Sequence, residues 1–162
     1  RCALPPRYWV RVSRICASAP EGDCIQADFL NAHERHWDDA ERLMLAQRWA
    51  NADHLYGMAA ECGLKRLMLA FGMPYDATKD RPANGQDRVH ANGSWARFES
   101  YRNGHARGVG YALPVNDPFH NWDVSDRYAH QSNFDQVLAQ GHQTGAQIVR
   151  DLIVKAQREG LL

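Results

Sequence analysis

The chain has 162 residues and a formal net charge of zero, with 44% hydrophobic and 23% charged residues. That length suits one domain with a sizeable core, and the mixture is globular rather than disordered. A zero net charge excludes a global basic field, so any contact with nucleic acid has to use a local patch.

No apolar run approaches the roughly 20 residues needed to span a bilayer, so no membrane association is expected. Residues 1–26 show neither steady helical nor strand periodicity, and Pro5, Pro6 and scattered arginines interrupt the apolar stretch a signal peptide needs. They are expected to be an N-terminal arm or a vector-derived segment ahead of a domain at 27–162. Cys2, Cys16 and Cys24 fall in this leader without a CxxC pair, and Cys62 falls inside a helical pattern. The expectation is reduced cysteines and a cytoplasmic protein.

The first helix is predicted from about Asp28 to Gln47. Phe29, Leu30, His33, Trp37, Ala40 and Met44 recur at three- and four-residue steps behind Asp28 as N-cap. A second runs from about Asn51 to Phe71, where Ala52, Leu55, Tyr56, Ala59, Leu64, Leu67, Met68 and Phe71 form a broad apolar face. Its small residues Ala59, Ala60 and Gly63 admit a close neighbour, and Gly72 and Pro74 stop it. Residues 73–89 are rich in turn formers. A third helix is expected at about Ala91–Arg102, carrying Trp95, Phe98 and Tyr101, and then glycines open a long irregular stretch. Such a stretch inside a small domain is either functional or packed as a covering arm. Ser132 with Asp135 suggests a capping box for the last helix, which reaches about Glu159 with Val137, Leu138, Ile148, Val149, Leu152, Ile153 and Ala156. The fold class is therefore all-α: a four- to five-helix up-and-down bundle with a long irregular loop before the last helix.

With these elements in order, residues 28–158 resemble a HEPN domain. Three features carry the resemblance: the alanine-rich helix ADHLYGMAAECGLKRLM, His90 at the opening of the third helix, and Arg127–Tyr128 within WDVSDRYAH. The family has Arg-Tyr-Pro at this last place, and Ala129 stands here for the proline. The resemblance implies action on RNA or binding of a nucleotide. Its catalytic members are metal-independent ribonucleases of toxin–antitoxin or defence systems. They work as homodimers and use an Arg and a His four to six residues apart. It implies no cofactor and no metal. RNA, a nucleotide, an antitoxin or another protein are the implied partners.

Arg127 and His130 are the catalytic candidates on this resemblance. The His would move a proton at the ribose 2′-hydroxyl, and the Arg would hold the phosphate with two parallel donors. Only two residues separate them, a departure from the family spacing, although i and i+3 share a helical face. Tyr128, Arg102, His90 and Asp123 are the candidates for holding substrate. The competing reading is a non-catalytic bundle used for partner binding and assembly, with Asp123 and Asp126 as salt-bridge partners of Arg127.

Glu61 and Lys65 have the spacing and order of an intrahelical ion pair. His54 lies seven residues before Glu61, and His33 and His36 could meet it across the bundle. These are the residue types of a bundle-core metal site, but no second Glu-x-x-His accompanies them. Lys79, Arg81, Arg88, Arg97, Arg102 and Arg107 interleave with Trp95, Phe98 and Tyr101, which are expected to face the core.

Overall fold

The computed structural model describes residues 26–162, and the leader with Cys2, Cys16 and Cys24 lies outside them. Among the described residues, four α-helices make the fold: α1 (Phe29–Leu45), α2 (Trp49–Ala70), α3 (Ala91–Asn103) and α4 (Gln136–Arg158). Between α2 and α3 a two-residue antiparallel pair, β1 (Tyr75–Asp76) with β2 (Arg81–Pro82), closes the turn-rich loop. The protein is an all-α helical bundle in which α1, α3 and α4 all pack on α2. Among the described residues, no helix is long and apolar enough to cross a membrane.

Asp28 caps α1 as its position suggests, its carboxylate accepting from the amides of Leu30 and Asn31 at 3.0 Å. His33, Trp37 and Ala40 form the buried stripe of that helix. The helix α2 is buried on nearly every side between Ala52 and Met68, which its small residues make possible. A Cβ on Gly63 would lie 2.6 Å from Val149 of α4 and 2.8 Å from His33 of α1. Glycine there lets three helices meet around one point. At its end, Gly72 takes φ 92°, and the amides of Met73 and Gly72 bond back to Met68 and Leu69. These are the two bonds of a Schellman stop.

The last helix starts at Asp135, whose carboxylate accepts from the Leu138 amide at 2.8 Å. Ser132 is not the cap: it belongs to a separate 3-10 turn at Gln131–Asn133.

The irregular stretch after α3 is a strap fixed across the bundle. Its Tyr111, Leu113, Phe119 and Trp122 are buried. The Trp95 indole donates to the Pro114 carbonyl at 3.0 Å, the Leu113 amide to Glu99 at 2.9 Å, and the Tyr111 hydroxyl to Glu159 at 2.7 Å. Its end carries another 3-10 turn, Val124–Tyr128. Asp123 and Asp126 form that turn's capping box, the Ser125 amide donating to Asp123 and the Asp123 amide to Asp126.

Most of the basic stretch is engaged internally, while Lys79 and Arg81 are exposed. Arg97 pairs with the fully buried Asp87 at 2.6 Å, Arg102 pairs with Glu99, Arg88 donates to two loop carbonyls and Arg107 to the Glu159 carbonyl. Trp95 and Phe98 are core residues, as expected. Arg102 is thus an anchor of the strap through Glu99, which also holds the Leu113 amide.

Candidate functional site

His54, Glu61 and Lys65 occupy one side of α2, since steps of seven and four residues return to the same helical face. Glu61 is the centre. Its carboxylate, 9% exposed, takes the Lys65 ammonium on one oxygen at 2.6 Å and the Nδ1 of His90 on the other at 3.2 Å. His90 is the residue before α3 but does not cap it with its side chain. Its ring reaches across to α2 instead and remains half exposed. With Nδ1–H donating to the carboxylate, the neutral ring carries its lone pair on Nε2. A buried carboxylate that fixes the tautomer of an accessible imidazole is an arrangement suited to proton transfer.

His54 stands two turns towards the start of α2. Its ring stacks on Trp122 of the strap, centroids 5.3 Å apart and planes 19° apart. Burial lowers its pKa, and the nearby Arg127 guanidinium lowers it further. Its Nδ1 is buried without a partner among the described residues. Trp122 reaches His54 because residue 57 is glycine: a Cβ there would lie 2.2 Å from the indole. His36 of α1 lies at the edge of the group. Burial and then Arg35 lower its pKa, while His54 and Glu61 are close enough to act on it as well.

Arg127 closes the other end. It lines a depression of about 310 Å³ together with Asn51, His54, Leu55, Asp126 and Gln131. Its guanidinium lies 4.7 Å from the centroid of the Tyr128 ring, which is 78% exposed. The expected salt bridges from Arg127 to Asp123 and Asp126 do not form; instead the capping box engages Oδ1 of Asp123 and one oxygen of Asp126. Hydrogen bonds from the Ser125 hydroxyl and amide hold the Asp123 carboxyl below its usual range, with His90 near enough to add to the effect.

The structure therefore gathers His90, Asp123 and Arg127 around the α2 face, with Tyr128 beside Arg127, and sets Arg102 apart. His130 faces elsewhere. The 3-10 turn ends at Tyr128, and Ala129 is extended, so Arg127 and His130 do not share a helical face. Nδ1 of His130 meets the Ser132 hydroxyl at 2.9 Å, and its ring lines an adjoining depression of about 330 Å³ with Gln47, Arg48 and Trp49. Of the residues considered as metal ligands, His33 is turned away to the Ala59 carbonyl at 2.8 Å. No group of three or more His, Cys, Asp or Glu side chains converges to hold a metal ion among the described residues.

Two contacts have no signature in the local sequence. One is Glu61 as the partner of His90, 29 positions away, which no local spacing announces. The other is the buried contact between Asp53 and His142, 89 positions apart. The chain matches no family model, no curated protein and no solved structure.

Proposed function

We propose that the chain is a HEPN-like domain acting on RNA through the α2 face, as a metal-independent endoribonuclease that works as a homodimer. The observation that carries this reading is the Glu61–His90 contact: a buried carboxylate orients an imidazole that stays open to solvent. Nε2 of His90 takes the proton of a ribose 2′-hydroxyl, whose oxygen attacks the adjacent phosphorus. The bond to the 5′-oxygen breaks, and the proton returns to that leaving oxygen. The products are a 2′,3′-cyclic phosphate and a 5′-hydroxyl. Arg127 stabilises charge on the phosphate oxygens as it develops. His54, whose pKa burial and then Arg127 lower, lines the groove beside that cation. In this reading the acid–base role passes from His130 to His90. The resemblance places such an activity in a toxin–antitoxin or defence setting, with an antitoxin as protein partner.

A second reading, a non-catalytic module for nucleotide or partner binding and assembly, is favoured by the engagement of the two family residues: Arg127 rests on Tyr128, and His130 is held by Ser132. Incubation of a mixed, end-labelled RNA pool in EDTA with the wild type, Arg127→Ala and His130→Ala separates the two. The nuclease reading expects cleavage that Arg127→Ala abolishes and His130→Ala largely retains. No cleavage by the wild-type dimer selects the binding module.

A further inference from the structure

We propose that the depression beside Arg127 is a base-reading subsite, selective for a nucleobase that carries an exocyclic amine, adenine above hypoxanthine, while the ligand's phosphate meets Arg127. This deepens the proposed action on RNA or a nucleotide and rests on that reading.

The cavity, about 310 Å³, lies within the range of small-ligand sites. Leu43 of α1 and Leu55 of α2 give it apolar walls, and Asn51, His54, Asp126, Arg127 and Gln131 are its polar lining. Apolar walls beside several hydrogen-bonding groups fit a flat heterocycle better than a bare anion. Neither side-chain amide, Asn51 or Gln131, is used in a hydrogen bond to another described residue, so both remain available to a ligand.

Asp126 supplies the selectivity. One of its oxygens accepts from the Asp123 amide at 3.0 Å, which holds the carboxyl in place. Its other oxygen has no partner among the described residues. An ionised carboxylate only accepts hydrogen bonds, so a ligand edge facing it has to offer a donor. The adenine amino group does so, and a neighbouring amide pairs with adenine through one donor and one acceptor. Hypoxanthine presents a carbonyl oxygen at the same place, so two acceptors would face each other. The positive charge beside Asp126 is Arg127, which puts phosphate and base recognition on consecutive residues.

The test is isothermal titration of the full chain with adenosine 5′-monophosphate and inosine 5′-monophosphate, which differ at that amino group. The adenosine nucleotide is expected to bind about tenfold tighter, the scale of one good base contact. Asp126→Asn keeps an oxygen for the Asp123 amide and adds a donor, so the ratio should fall to within about twofold. Arg127→Ala should weaken both nucleotides alike. Should Asp126→Asn melt early, Asn51→Ala on the exposed side of α2 gives a second reading, with the adenosine nucleotide losing about threefold or more. Equal affinity for the two nucleotides, or binding of neither, overturns the proposal. Cleavage of RNA by the same preparation reports separately on the underlying function. Cleavage with equal nucleotide affinities removes the base selectivity alone, and selective binding without cleavage removes the nuclease reading alone.

Discussion

Nδ1 of His142 on α4 donates to Oδ1 of Asp53 on α2 at 2.6 Å, and both side chains are 2% exposed. The far nitrogen of the ring reaches Asn121 of the strap at 3.2 Å, and the ring face stacks on Phe119. One imidazole thus ties three parts of the fold together next to His54. Removing one partner of a buried hydrogen bond leaves the other unsatisfied, which costs more than replacing both with apolar groups. Asp53→Ala and His142→Ala are each expected to lower the stability by about 1–3 kcal/mol in urea unfolding. Asp53→Leu with His142→Leu should cost well below the sum of the two single changes. Additive losses would show that the two residues do not act as a pair.

A different kind of strain is expected at residue 57. A methyl group there would collide with the Trp122 indole, which cannot retreat far because it is enclosed by the strap and α2. Gly57→Ala should destabilise the fold by about 1–3 kcal/mol and shift the tryptophan emission. It should also impair RNA cleavage, because the stacking surface of His54 moves. An unchanged melting temperature would mean that the strap adapts freely.

Much of the helical frame could be read in the sequence because its causes are local. Asp28 and Gly72 mark ends by rules that span a few residues, and the stripe His33, Trp37 and Ala40 follows from the helical repeat. The ion pair of Glu61 with Lys65 was legible for the same reason. The site was legible only in pieces. His90 and Arg127 stood out as residues, but nothing near His90 in sequence reveals a carboxylate 29 positions earlier. The resemblance pairs His130 with Arg127 as the nearest Arg and His, but the chain turns extended at Ala129 and sends the two apart. The capping signal at Ser132 was one short segment early, since Asp135 can cap α4 by itself.

Acid should weaken the protein before the carboxylates titrate. Burial holds the pKa of His33 below 6.5, burial and Arg35 do so for His36, and burial and Arg127 for His54. As pH falls through 6.5, the unfolded chain takes up protons that the folded state refuses, so these groups favour the unfolded state until their folded values are reached. Burial raises the Asp117 pKa, an effect of opposite sign that belongs to the carboxylate range. The urea midpoint is therefore expected to fall steadily between about pH 7.5 and 5.5. A midpoint that holds or rises over that interval would contradict the lowered pKa values of the three imidazoles.

Proton transfer by His90, oriented by Glu61, is open to single-turnover cleavage of a defined RNA in EDTA by His90→Ala and Glu61→Gln, with RNA affinity measured alongside. The proposed mechanism requires a loss of about 100-fold or more in the cleavage rate for His90→Ala, and a substantial but smaller loss for Glu61→Gln, with affinity changed little in both. Cleavage at the wild-type rate by His90→Ala would contradict it and return the chemistry to another residue.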